Sequence, residues 1–351
     1  MKNKVGLLVG VVVLLAVAVT AYAAPKKVWW TQKTSTEITR PGLVVDKQGN
    51  VYYWRDSQFG FSRLHRLGRS GVDTVIAGSA SGAPYPSDGA KATGVWLAFT
   101  PGGFAVDSKG DVFISYTGVP NGTVWKVTPD GVLHTFAGGP GGTAKKFVNG
   151  APATSEPLGP SDLAVDAHDN LFVAEPRGVI KITPAGTASL AAGDLTTIAN
   201  PAHPTTSLLS DHPGSLAADR AGNVYVVDRG SAMGAGRQLR GRVLKIAPSG
   251  AVTTIIPNEV VFPGITTDGN GRVYAQVSVK NSWYLKQYSP AGKVIATLAG
   301  GASSYHDRAP ARGNFFAATT LAFDQDGNLL WTGAVGNYIY KLYLAPPPKK
   351  K

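Results

Sequence analysis

The chain contains no cysteine, which removes disulfides, a lipid-modified cysteine anchor and all thiolate chemistry together. An exported protein without such staples must hold itself together by packing. Charged residues are sparse, at 16%, and lopsided: 34 Lys and Arg against 22 Asp and Glu give a formal net charge of +12. That excess favours anionic surroundings such as cell-wall polymers, acidic polysaccharide or lipid headgroups. The basic residues are scattered and no recognition motif accompanies them, which argues against nucleic acid. No Gly-Lys-Ser/Thr is present, so a nucleotide-binding loop is excluded. What the chain does hold in quantity is turn formers, 43 Gly and 24 Pro among 351 residues, and the natural class for that composition is all-β.

The N-terminus reads Met1-Lys2-Asn3-Lys4, then an apolar run from Val5 to Val19, then Ala21-Tyr22-Ala23. A basic start, an apolar stretch and small residues before the cut predict a secretory signal over 1–23, cleaved after Ala23. Retained, the same stretch would be long enough to anchor the protein in a bilayer, and membrane contact would come only through it. Either way the rest of the chain faces outside the cytoplasm, as a secreted, periplasmic or cell-surface protein. Removal of Lys2 and Lys4 leaves a net charge of about +10.

One short pattern recurs six times: an apolar run, Asp, two mixed residues, Gly-Asn in three copies and a one-residue variant of it in the other three, and a second apolar run. Its anchors are Asp46, Asp107, Asp166, Asp219, Asp268 and Asp324, spaced 61, 59, 53, 49 and 56 residues apart. The Asp-x-x-Gly-Asn segment is turn chemistry, since the carboxylate accepts backbone N–H groups and Gly or Asn tolerates positive φ. Six copies around a ring are turn formers and not catalytic groups. A third apolar run ends at Pro-x-Gly, as in Pro129-Asp-Gly131, Pro184-Ala-Gly186, Pro248-Ser-Gly250 and Pro290-Ala-Gly292, and a fourth runs to a glycine such as Gly138 or Gly300. Four antiparallel strands per repeat make a propeller blade.

In these turns the chain resembles the NHL-repeat family, over residues 28–344. Asp88-Gly89-Ala-Lys-Ala-Thr93, Asn149-Gly150-Ala-Pro-Ala-Thr154 and Asp307-Arg-Ala-Pro-Ala-Arg312 resemble the linkers of bacterial members. The resemblance implies a six-bladed β-propeller over 24–345, followed by a Pro/Lys tail at 346–351, and is nearly silent on activity. The last repeat lacks a fourth strand, whereas Lys27 to Gln32 is strand-like and unassigned. The N-terminal strand is therefore predicted to close the ring as the outer strand of blade 6, with Trp29 or Trp30 buried.

First-to-second and third-to-fourth turns are short in every repeat. Length varies at 79–102, 139–161, 194–214 and 301–318 between blades and at 228–241 within blade 4, all on one face, where function is expected. Aligned on the anchor turn, the second strands end in Arg55, Tyr116, Glu175, Asp228, Val277 and Gly333. Arg55, Asp56, Tyr116, Glu175, His212, Asp228 and Arg229 are the candidate ligand-binding residues around the channel mouth. Glu175, Asp228 and His212 are the set that would hold a divalent cation, the one cofactor the sequence brings into question, or act as acid and base. The blander reading has such acids bonding local backbone or an Arg. The arginine-rich loop Arg229 to Arg242 reads as an anion clamp or a solvated insertion, and His65, His134 and His168 as structural or exposed.

With no convergent acid–base motif, the sequence favours a non-catalytic binding or scaffold propeller, monomeric, taking a protein, peptide or anionic polysaccharide partner. The alternative is a metal-assisted enzyme resembling the propeller lactonases or lyases.

Overall fold

The computed structural model describes residues 29–344 apart from 34–37, 39–41, 57–60, 80–82, 98–100, 117–121, 139–146, 177, 196–212, 229–240, 281, 304–305, 307–309, 315 and 334–337. The expected signal over 1–23 and the tail at 346–351 lie outside these residues.

The chain folds as an all-β propeller of six blades, each of four antiparallel strands. Blade 1 comprises Leu43–Val45, Val51–Asp56, Ser62–Leu67 and Asp73–Ala77. Blade 2 comprises Pro101–Val106, Val112–Tyr116, Thr123–Val127 and Leu133–Ala137. Blade 3 comprises Asp162–Val165, Leu171–Glu175, Gly178–Ile182 and Ala188–Gly193. Blades 4 and 5 share the strand Val252–Thr267, whose first part is the outer strand of one and whose second part is the inner strand of the other. Their remaining strands are Pro213–Ala218, Val224–Asp228 and Gly241–Ile246, then Val273–Val279, Ser282–Tyr288 and Val294–Gly301. Blade 6 takes Ala318–Phe323, Leu329–Gly333 and Ile339–Tyr343. Its outer strand is Trp29–Lys33, which pairs antiparallel with the last one, Trp29 opposite Tyr343 and Lys33 opposite Ile339. The ring closes as the missing fourth strand of the last repeat requires.

The anchor turns explain why six dissimilar repeats reach one geometry. Asp219 accepts the backbone N–H groups of Ala221 and Asn223 at 2.9 Å each through Oδ1, and the Asn223 amide at 2.8 Å and the Tyr225 hydroxyl at 3.0 Å through Oδ2. Oδ1 of each of the other five anchors accepts the corresponding pair of N–H groups. In blade 3 the glycine position is filled by Asp169, at φ 61°. Its carboxylate takes the Ser108 N–H at 2.9 Å and hydroxyl at 2.6 Å from blade 2. The short-turn face, featureless in the sequence, is thus where neighbouring blades are stitched: Gln325 of blade 6 also donates to the Lys47 carbonyl of blade 1 and accepts from Arg69.

Strand alternation sends one set of side chains to each neighbouring blade. Leu171 and Val173 pack toward blade 2, Phe172 and Ala174 toward blade 4. The apolar interior is accordingly six wedges between blades. The wedge between blades 5 and 6 is centred on Trp331, stacked on Tyr340 at 4.3 Å and tilted against Phe316 at 4.7 Å. Fourth strands end in glycine for a steric reason. At Gly138 (φ 71°) and Gly300 (φ 103°) a Cβ would lie 2.2 and 2.0 Å from the carbonyl oxygens of Gly122 and Trp283, closer than any side chain can sit.

Candidate active site at the channel mouth

The six inner strands surround a cavity of about 1190 Å³. Its wall is small, apolar or hydroxylated: Gly102, Gly103, Ser161, Ser215, Thr266 and Thr320 among others. Asp162 is the one ionisable side chain lining it among the described residues. Its Oδ2 accepts the Leu216 N–H of blade 4 at 2.8 Å, which fixes the carboxylate against the wall. The six residues four places before the anchor aspartates are Gly42, Gly103, Asp162, Ser215, Gly264 and Thr320. Asp162 is the one ionisable residue in that row, a signal visible when the repeats are aligned on their first strands and not on their second.

The second-strand ends fall where the repeat alignment places them, at one rung of each blade. Glu175 is 4% exposed. Its Oε2 accepts the Gly159 N–H at 2.6 Å, and its Oε1 is enclosed with no hydrogen-bond partner among the described residues. Burial pushes the carboxyl up to about 8, opposed by the Gly159 hydrogen bond. An enclosed acid with a half-satisfied carboxyl group, neutral at pH 7, is a reservoir of proton chemistry. Pro176, the next residue, lines the channel.

Asp228 is 1% exposed, and its Oδ2 accepts from Arg242 Nε at 2.8 Å across the second and third strands of blade 4. Tyr116 is half-buried, its hydroxyl pKa raised first by burial and then by Tyr85. Tyr85 is itself exposed and tilted onto Trp96 at 5.1 Å. Arg55 is exposed and opposite Arg63. Asp56 pairs with Ser62 in the backbone register. The Asp56 side chain lies outside the described residues, as do His212 and Arg229.

Among the described residues no three His, Asp or Glu side chains come together to hold a metal ion. Of the three residues expected to hold a divalent cation, Asp228 accepts from Arg242, Glu175 accepts from the Gly159 N–H, and His212 lies outside the described residues. His65 bonds Asp73 through Nδ1 at 3.1 Å and stacks on Tyr53, His134 lies 3.7 Å from Asp88, and His168 is exposed beside Asp166. None of the three joins a metal group.

No family model matches the chain, and no curated protein matches it in sequence. Solved structures do match it in fold. A streptogramin B lyase is 12% identical with a TM-score of 0.50, covering 90% of this chain and 97% of its own. A proposed gluconolactonase is 14% identical with a TM-score of 0.51, covering 89% and 91%. The calcium-binding protein regucalcin from Agrobacterium tumefaciens is 15% identical with a TM-score of 0.50, covering 88% and 90%. Identities this low carry the six-bladed fold. The expectation of a non-catalytic binding or scaffold module is corrected by them: the propellers of this shape include a lyase and a proposed gluconolactonase.

Proposed function

We propose that the protein is an enzyme that opens a lactone or cleaves an ester at the long-loop mouth of its channel, with Glu175 moving the proton. The observation that carries this reading is Glu175 itself, enclosed, half-satisfied and raised to about 8. Water adds to the carbonyl carbon, the protonated carboxyl group of Glu175 donates to the ring or leaving oxygen as its C–O bond breaks, and the proton released by the attacking water returns to Glu175, which leaves a hydroxy acid, or an acid and an alcohol. Asp162, the ionisable group of the channel wall, orients the substrate. Contact between Glu175 and a substrate requires the Gly159 peptide, whose N–H is bound to the carboxyl group, to move aside. A lyase and a proposed gluconolactonase share this fold, which is compatible with the reaction class.

The Asp-x-x-Gly-Asn turns and the Ala-Thr linkers support an NHL-like description of the blades. The basic start and Ala21-Tyr22-Ala23 support export with cleavage after Ala23, which intact-mass measurement of the mature protein checks. The net positive charge would hold the exported protein near anionic envelope polymers.

The test is a panel of sugar lactones and cyclic esters, glucono-1,5-lactone included, assayed with the parent and with Glu175→Gln. Turnover by the parent and a loss of about 100-fold or more in the variant are expected, in line with what general acid–base groups contribute. Equal rates for the two proteins, or none from the parent across the panel, contradict the proposal.

A further inference from the structure

Blade 1 carries two arginines where blade 4 carries an ion pair. On the fifth rung of the second strand of blade 4, Asp228 lies opposite Arg242 and their side chains meet at 2.8 Å. On the same rung of blade 1, Arg55 lies opposite Arg63. Directly opposed residues have Cβ atoms about 4.5–5.5 Å apart, and like charges so placed destabilise the pair. Among the described residues neither arginine is in an ion pair, and the Arg63 Nε–H is enclosed without a hydrogen-bond partner. Asp73, the acid of the blade's outer strand, is already engaged by the Tyr53 hydroxyl at 2.8 Å and by His65 at 3.1 Å. The field of the two arginines reaches His65, whose protonated form is disfavoured first by burial and further by Arg55 and Arg63, against the pull of Asp73.

We infer that Arg55 and Arg63 hold an oxyanion, a carboxylate or a phosphate, between their guanidinium groups at the channel-mouth end of blade 1. The blade 4 rung is the internal template: there a fixed carboxylate accepts from one guanidinium, and here a ligand oxyanion accepts from two. Planar guanidinium forks suit such groups, because their parallel N–H donors match the spacing of carboxylate or phosphate oxygens. Arg55 is exposed, so the site is reachable. That the oxyanion belongs to a substrate rests on the enzyme reading above, whereas the site itself does not.

The test is isothermal titration of the mature protein with inorganic phosphate and with malonate at constant ionic strength, for the parent, Arg63→Gln and Arg55→Gln. Saturable binding of at least one anion by the parent, weakened tenfold or more in both variants with thermal unfolding no lower than the parent's, is expected. Preference for phosphate or malonate assigns the group. Should Arg63→Gln fail to fold, the exposed Arg55 variant carries the comparison alone. No saturable binding by the parent, or equal affinity in a folded variant, overturns the inference. Lactone opening that depends on Glu175 in a protein without anion binding would leave the enzyme reading standing and remove this one.

Discussion

Glu175 and Asp228 occupy equivalent positions in neighbouring blades yet have become different chemical objects. Asp228 has an arginine across the hairpin and lies within reach of it, while Glu175 faces Gly178, which brings no side chain, and keeps one oxygen without a hydrogen-bond partner among the described residues. The alignment of the repeats placed both residues correctly on one rung. It could not show their burial, because that depends on the linker around Gly159 closing over blade 3. The difference is measurable as stability. Glu175 binds its proton more tightly folded than unfolded, since its pKa rises to about 8 on folding. Folding is therefore favoured at low pH and weakens by about 1.4 kcal/mol per unit as pH rises from the unfolded value, about 4.3, toward the folded one. Glu175→Gln is expected to remove that slope in urea unfolding measured from pH 5 to 9, and to be the more stable protein at pH 9. An unchanged slope would mean that the carboxyl titrates normally. The anchor aspartates make the complementary case: Asp219→Ala leaves the turn donors of blade 4 without their acceptor and is expected to cost on the order of 3 kcal/mol, read from the same unfolding curves.

At the level of strands, the spare N-terminal segment was legible because a repeat pattern exposes a missing member as plainly as a present one. Trp29–Lys33 pairs with Ile339–Tyr343 over five residues on each side. Deleting residues 24–33 opens the edge of blade 6 and is expected to lower the melting temperature by several degrees and to promote association through the bared strand; an unchanged, monomeric protein would show that the ring closes otherwise. Less legible was the junction of blades 4 and 5, where Val252–Thr267 runs through as one strand with register shifts and no linker. Nothing in the pattern of apolar residues distinguishes a strand that bends between sheets from two strands joined by a turn. The core side chains, in contrast, follow from alternation alone. Trp331, fully buried between Tyr340 and Phe316, is expected to cost about 3–5 kcal/mol when truncated to Ala, a loss that thermal or urea unfolding reads directly.

Across the whole molecule, six wedge-shaped interiors replace a single core, and the channel they leave is walled mainly by small and apolar groups. The six-bladed ring and its closure were readable in the sequence since they rest on short local signals repeated in order. The site was readable only in part: Arg55, Tyr116, Glu175 and Asp228 share a rung as aligned, but the partners that decide their chemistry, Arg63, Gly159 and Arg242, come from pairing and from linkers. Asp162, hidden in an otherwise ordinary first strand, needed the channel to become visible. The central claim is that this mouth performs proton transfer through a carboxyl group of raised pKa. Its most direct test is the pH dependence of kcat/KM on the best lactone or ester of the panel. A descending limb near pH 8 in the parent, absent in Glu175→Gln, is the expected result; a limb that persists unchanged in the variant, or no descent up to pH 9, would contradict it.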